Sequence, residues 1–223
     1  MKKKVLIIAP HADDETLGCG GTILRHKNNN DEVYWLLVTS LSVSSGYSKE
    51  AIDIRKLEID KVDKLYDFKS RFELNHHPAD LDSLSLKTLI NNLKQVLEKV
   101  KPNTIYIPHF GDVHSDHRVI CDAVFACTKS FRNEYIKKII AYETISETEF
   151  NMKGRDYAFV PNLWINIEDF IDKKLEIMNT YVSEISNHPF PRSKKNILSL
   201  SSIRGSNVGL KSAEAFMILK ETS

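Results

Sequence analysis

The chain alternates between apolar runs and longer segments with helical periodicity. Continuous runs rich in Val, Ile and Leu are typical of strands buried on both faces of a parallel sheet, and here they predict strands at residues 5–9, 32–39, 104–108 and 139–144, with a shorter one at 70–75. Between them, apolar residues recur at intervals of three or four and predict helices at residues 16–27, 49–68, 86–100 and 115–131. Strands that alternate with helices indicate an α/β layered fold with a mainly parallel sheet.

The strict alternation stops after about residue 142. The remaining residues predict a strand at 159–167 and helices at 169–181 and 197–204. A length of 223 residues fits one domain of the larger kind. We therefore predict a single domain over residues 1–223, with a core at about 1–142 and a smaller β-rich or mixed extension at about 143–223.

Two patterns within the helices concern packing. An apolar stripe predicts the buried face of the helix at 49–68, and it consists of Ile54, Leu57, Val62 and Leu65. Three glycines stand near the start of the first helix, at Gly18, Gly20 and Gly21. Their spacing is not G-x-G-x-x-G, and acidic residues precede them, so we interpret them as close packing of helix on strand rather than as a dinucleotide site.

A cluster of ionisable residues follows the first strand directly. His11, Asp13, Asp14 and Glu15 fall within five residues, at the edge where open α/β sheets bind ligands. Crowded carboxylates repel one another, and imidazole together with carboxylate suits zinc. The alternative is an acidic helix N-terminus, in which one of these carboxylates caps the helix.

A second cluster favours the metal interpretation. The strand at 104–108 continues into a loop that carries His109, Asp112, His114, Asp116 and His117. Two strand ends thus each supply imidazole and carboxylate groups. Together they offer enough ligands for a catalytic zinc site, which takes three protein ligands and keeps one position open.

These motifs resemble those of a known family. His11-Ala12-Asp13-Asp14-Glu15 is similar to the His-Pro-Asp-Asp-Glu signature of the LmbE-like N-acetylglucosamine deacetylases, the PIG-L family, and His114-Ser115-Asp116-His117 is similar to its His-x-x-His motif. Arg204-Gly205-Ser206-Asn207-Val208-Gly209, followed by Ala213-Glu214-Ala215-Phe216, looks like its closing motif. The resemblance covers nearly the whole chain. It implies a Rossmann-like three-layer fold whose C-terminal extension flanks the active site.

The chemistry of the motifs, which matches the roles of the family's motif positions, assigns a mechanism. His11, Asp14 and His117 would hold zinc, which lowers the pKa of a bound water towards about 7. Asp13 would act as the general base, and His114 as an imidazolium would stabilise the tetrahedral intermediate. Glu15 and Asp116 are expected to contact and orient the ligand residues rather than to bind the metal themselves. Iron(II) is an alternative metal because the same ligand types bind it.

The resemblance also implies substrate-binding residues. Arg55 and Glu58 match an Arg-x-x-Glu pair whose arginine contacts substrate, although a surface ion pair is the usual outcome for this spacing. Asp80 stands where relatives carry an acid on the substrate side. Arg192 ends a stretch that resembles a His-Pro-x-Pro-Arg segment near the family's site.

Composition limits the partners. The formal net charge is +1, which argues against binding to nucleic acid. The three cysteines form no C-x-x-C pair, so we expect no disulfide framework and a cytoplasmic location. The apolar run after the N-terminal lysines is too short to span a membrane. A homo-oligomer is compatible with the sequence.

The expected function is therefore hydrolysis of an N-acetyl group on an N-acetylglucosamine-type sugar or sugar conjugate. One alternative is a zinc hydrolase of another amide or ester, such as a thiol-cofactor precursor or an antibiotic. Another is a non-catalytic sugar- or nucleotide-binding module with a structural metal. A structural zinc is normally closed by four protein ligands, often cysteines, and neither cluster contains a cysteine.

Overall fold

The computed structural model describes residues 2–152 and 154–222, and within these ranges seven strands form one sheet. The strands are β1 (Lys4–Ala9), β2 (Glu32–Thr39), β3 (Ser70–His76), β4 (Thr104–Pro108), β5 (Lys138–Tyr142), β6 (Leu163–Asn166) and β7 (Ala213–Glu221). Their order across the sheet is β3-β2-β1-β4-β5-β7-β6. The first five strands pair in parallel, whereas β7 is antiparallel to both of its neighbours.

Helices cover both faces of the sheet. They are α1 (Asp14–Asn28), α2 (Lys49–Tyr66), α3 (Leu86–Val100), α4 (Ser115–Cys127), α5 (Ile171–Met178) and α6 (Lys194–Ser206). Helices α1, α2, α5 and α6 pack on one face, and α3 and α4 pack on the other. Residues of β1 alternate between the two cores, since Val5 and Ile7 face α1 while Leu6 and Ile8 face α3 and α4. This confirms the predicted Rossmann-like three-layer fold with a mainly parallel sheet.

The predicted buried face of α2 is partly wrong. Val62 is buried, but Ile54 is 55% exposed and Leu57 is 70% exposed. The helix instead turns Glu58 and Ile59 inward. The carboxylate of Glu58 pairs with Arg55 and accepts the backbone N–H of Val182. Because a buried carboxylate needs such partners, the helix is rotated to bury Glu58, and Ile54 and Leu57 face solvent.

The C-terminal residues differ from their predicted elements. Strand β6 is shorter than the predicted 159–167, and α6 extends beyond the predicted 197–204 at both ends. Strand β7, which no pattern in the sequence predicted, inserts between β5 and β6. Residues after 142 thus complete the main sheet. The boundary near residue 142 between a core and an extension stays a prediction.

The glycines of α1 allow close packing, as predicted. A Cβ atom at Gly18 would lie 2.2 Å from Cδ2 of Tyr142, and one at Gly21 would lie 2.5 Å from Cγ2 of Ile167. On the other face of the sheet, Cys121 and Cys127 are buried in the core formed with α3 and α4. None of the described helices is long and apolar enough to cross a bilayer.

Candidate active site

The two predicted clusters meet where the order of the parallel strands reverses. Strand β1 lies next to β4, and the helices that follow them, α1 and α4, pack on opposite faces of the sheet. Such a reversal opens a crevice at the carboxyl ends of the two strands, where α/β proteins bind ligands. His11 and Asp13 lie in the turn after β1, and Asp14 begins α1. Asp112 and His114 lie in the loop after β4, and Asp116 and His117 lie in the first turn of α4.

The turn into α1 places Asp13 in an unusual backbone conformation, with φ of 144°. L-residues rarely adopt such angles, and they concentrate at functional sites. Asp13 occupies the N-cap position of α1, yet its side chain makes no capping hydrogen bond. Capping of the helix therefore does not account for this carboxylate.

His11, Asp14 and His117 converge as a set of potential metal ligands. The Oδ2 atom of Asp14 lies 3.3 Å from Nδ1 of His11 and 3.3 Å from Nε2 of His117. Nε2 of His117 is buried and makes no hydrogen bond with the described residues. Burial raises the pKa of Asp14, but the neighbouring His117 and His11 lower it by more, so the pKa falls far below the usual range.

The same cluster attracts positive charge. Burial alone would lower the pKa of His11, but hydrogen bonds to Asp116 and Asp14 raise it to about 9. Burial likewise opposes protonation of His117, yet Asp14 and Asp112 raise its pKa well above the usual value. An unpartnered imidazole nitrogen beside a shared carboxylate is the donor set that a divalent metal requires, so these residues fit the predicted site.

A carboxylate contacts the ring nitrogen of His11 and of His117 that is directed away from Asp14. Nε2 of His11 lies 2.9 Å from Asp116, which leaves Nδ1 of His11 directed at Asp14. Nδ1 of His117 lies 2.8 Å from Asp112, which leaves Nε2 for a metal. Such partners set the tautomer and the ring orientation of metal-binding histidines. Asp112 was not among the predicted site residues, although its position five residues before His117 is a usable signal.

A second group of potential ligands consists of His11, His114 and Asp116. Asp116 already accepts the backbone N–H groups of Ala79 and Leu81, at 2.7 and 3.1 Å, besides contacting His11. Nδ1 of His114 accepts the backbone N–H of Asp116 at 3.2 Å. These atoms are satisfied within the protein, so the structure favours the cluster around Asp14.

The surroundings of His114 do not favour the predicted imidazolium. The carboxylate of Asp116, the acid two residues further along the chain, contacts His11 rather than this ring. Burial, together with the neighbouring His11 and His117, lowers the pKa of His114 to about 4. Because Nδ1 accepts a hydrogen bond, the neutral ring carries its proton on Nε2. These contacts favour a neutral His114 that can donate from Nε2.

Asp13 and Glu15 stand apart from the ligand cluster. Asp13 is buried, and its Oδ2 atom lies 3.5 Å from Nη1 of Arg192. Burial and the nearby Asp14 raise its pKa, although Arg192 acts in the opposite direction. Glu15 accepts hydrogen bonds from the hydroxyls of Thr16 and Tyr181, and burial raises its pKa to about 7. Glu15 thus anchors the start of α1.

The cavity above the cluster has a volume of about 500 Å³. Arg55 and Arg192, the two arginines predicted to bind substrate, line it, and so does Glu184, which no motif in the sequence indicated. Asp80 is exposed and is not among the described residues that line the cavity. Only its neighbours contribute to the site, because Ala79 and Leu81 hold Asp116. The predicted substrate contact of Asp80 is therefore not supported.

The fold and the site define a class: Rossmann-like α/β proteins with a histidine–carboxylate cluster at the strand reversal. The sequence profile of the GlcNAc-PI de-N-acetylase (PIG-L) family matches residues 6–128, which contain both clusters. The chain belongs to this family, which confirms the resemblance seen in its motifs.

Individual relatives agree with this assignment. The chain is 27% identical over 196 residues to the diacetylchitobiose deacetylase of Thermococcus kodakarensis, an alignment that covers 82% of this chain and 70% of the relative. It is 23% identical to a probable N-acetyl-alpha-D-glucosaminyl L-malate deacetylase 2 of Bacillus cereus, with 82% and 84% covered. The N,N'-diacetylchitobiose deacetylase structure from Pyrococcus horikoshii has the same fold, with a TM-score of 0.77, 22% identity, and 98% of this chain and 84% of that chain covered.

Proposed function

We propose that this protein is a metal-dependent hydrolase that removes the N-acetyl group from an N-acetylglucosamine-type sugar or sugar conjugate, releasing acetate and a free amine. The observation that carries the proposal is the arrangement of the two adjacent acids. Asp14 faces two histidines, whereas Asp13 faces the cavity beside them. Membership of the GlcNAc-PI de-N-acetylase family and the two curated relatives support it.

We propose zinc as the metal, with iron(II) as the alternative, held by His11, Asp14 and His117. When bound, the metal would activate water and polarise the acetamide carbonyl. Asp112 and Asp116 would keep the two imidazole rings in the tautomers that ligation needs.

Asp13 would act as the general base in this proposal. It would take a proton from the attacking water and return that proton to the departing amine. Arg192 holds the Asp13 carboxylate from the cavity side, and the strained turn directs it away from a capping role. His114 would donate its Nε2 proton to the oxygen that becomes negative in the transition state.

The proposal is tested with purified protein and a panel of N-acetylated sugars. Acetate and free amine should appear in equal amounts, and metal removal should abolish both. His117→Ala should lose bound metal and activity together, because three protein ligands leave little redundancy. A metal-loaded protein that releases no acetate from any N-acetylglucosamine derivative would refute the proposal. The cytoplasmic location and the possible homo-oligomer stay predictions.

A further inference from the structure

We infer that Glu184 restricts this site to substrates whose aglycone carries no negative charge, and that the substrate class is an uncharged N-acetylglucosaminide such as a neutral oligosaccharide. The inference rests on the proposed function. It comes from the way in which the two arginines of the cavity are already paired.

Glu184 bridges both arginines of the cavity. Its Oε1 atom contacts Nη2 of Arg55, and its Oε2 atom lies 3.0 Å from Nη2 of Arg192. The hydroxyl of Ser183 donates a further hydrogen bond to Oε1 at 3.0 Å. Each carboxylate oxygen therefore holds a different guanidinium group. A bridge of this kind positions two long side chains at once.

Most of the other donors of these arginines also have partners within the described residues. Arg55 donates to the backbone carbonyl of Ala12 at 2.9 Å, and its Nε atom lies 3.0 Å from Glu58. Arg192 directs Nη1 at Asp13, whereas its buried Nε atom makes no hydrogen bond with the described residues. Within the described part of the chain, each guanidinium group that lines the cavity is thus paired with at least two carboxylates.

The charge balance of the cavity disfavours an anionic ligand. Among the described residues, five carboxyl side chains line it, against these two guanidinium groups and the His11 ring. A divalent metal would neutralise the acids nearest to it but would leave Glu184 with its arginines. A carboxylate or phosphate on the aglycone would then have to displace Glu184 or lie near uncompensated acids. At the effective dielectric constant of a protein surface, one such repulsion changes affinity by about tenfold or more.

The remaining wall of the cavity is uncharged. Leu41, Tyr47, Ala51 and Ile54 line it, and Ile54 and Tyr47 keep 55% and 39% of their surface exposed. Exposed apolar side chains at a cavity mouth indicate a binding surface. Such a wall suits the C–H face of a sugar ring, which is apolar, better than it suits a strongly hydrated anion.

The test compares two ligands that share N-acetylglucosamine: its neutral disaccharide and a glucosaminide whose aglycone is a dicarboxylic acid. Dissociation constants are measured by calorimetry on metal-loaded protein that also carries His114→Ala, which slows turnover and leaves the carboxylate partners of both arginines in place. We expect the neutral ligand to bind about tenfold more tightly or better. Glu184→Gln should free both arginines and shift this ratio by about tenfold towards the anionic ligand.

Two controls separate specificity from a structural effect. Glu184→Asp keeps the charge and should keep the preference for the neutral ligand. Glu176→Gln removes an exposed acid that pairs with Lys173 outside the cavity, and it should leave the ratio unchanged. A ratio that favours the anionic ligand in the parent protein, or one that Glu184→Gln does not move, would overturn the inference. The binding ratio gives this answer independently of turnover, whereas absence of acetate release refutes only the proposed function.

Discussion

At the scale of single residues, the site separates two neighbouring carboxylates by their surroundings. Asp14 lies between two imidazole rings, which favour its charged form, whereas Asp13 is buried beside other acids, with Arg192 as its cationic partner. Two acids in different environments can take different chemical roles. Their contacts support ligation by Asp14 and proton transfer by Asp13.

Asp13→Asn tests this division. The amide keeps the size of the side chain but cannot accept a proton from water. We expect bound metal to be retained and kcat to fall by about two to four powers of ten, the usual effect of losing a general base. Metal analysis and steady-state kinetics provide the measurement. Loss of the metal, or near-normal turnover, would contradict the role assigned to Asp13.

His114 provides a second prediction at this scale. Its neutral ring offers one proton, on Nε2, to an oxygen that becomes negative only in the transition state. We expect His114→Ala to retain metal, to leave KM similar and to lower kcat by about two to three powers of ten. His114→Gln supplies a neutral N–H at a similar reach and should recover part of kcat. A variant that lost its metal would instead identify His114 as a ligand.

At the scale of elements, one buried ion pair joins three of them beneath the site. Lys174 of α5 donates to Glu214 of β7 at 2.7 Å and to the carbonyl of Leu17 in α1 at 2.8 Å. Glu214 also accepts the backbone N–H groups of Gly21 and Thr22. This network ties the helix that carries Asp14 to the strand that completes the sheet.

Glu214→Gln should therefore destabilise the protein strongly. The change leaves the ammonium group of Lys174 buried without a counter-charge, which costs about 3–5 kcal/mol. Glu176→Gln is a matched control, because it breaks the exposed pair with neighbouring Lys173 and should cost less than about 1 kcal/mol. Free energies of unfolding from urea titrations provide the comparison. Equal losses in the two variants would show that the buried network contributes little.

At the scale of the whole molecule, metal binding should couple to folding, because the proposed ligands come from the segments after β1 and after β4, which only the folded sheet brings together. A metal at one hundred times its Kd would stabilise the protein by about 2.7 kcal/mol. For a chain of this size we expect Tm to rise by about 5–10 °C. A thermal melt with and without added zinc measures this shift.

Two variants test the specificity of that stabilisation. His117→Ala should show almost no shift at the same metal concentration, whereas Asp13→Asn should keep it. An equal shift in His117→Ala would mean that the metal stabilises the protein at some other place.

The sequence by itself determined the fold class and the position of the reactive residues. Continuous apolar runs of strand length predict strands from the local sequence alone. The two histidine–carboxylate clusters each follow such a run. Since parallel strands align their carboxyl ends, the clusters after β1 and β4 had to lie at one edge. The glycines of α1 likewise predicted a close contact with the sheet, although the residues that make it, Tyr142 and Ile167, are distant in sequence.

Tertiary structure alone decided the partners of these residues. Arg55 and Glu184 are 129 residues apart, and no local pattern relates them. The exposed face of α2, the insertion of β7 between β5 and β6, and the pairing of Asp116 with His11 rather than with His114 also depend on distant segments. Sequence periodicity reports which side of an element is apolar. It does not indicate which charged side chains pair with one another in the folded protein, and at this site those pairs position the side chains around the cavity.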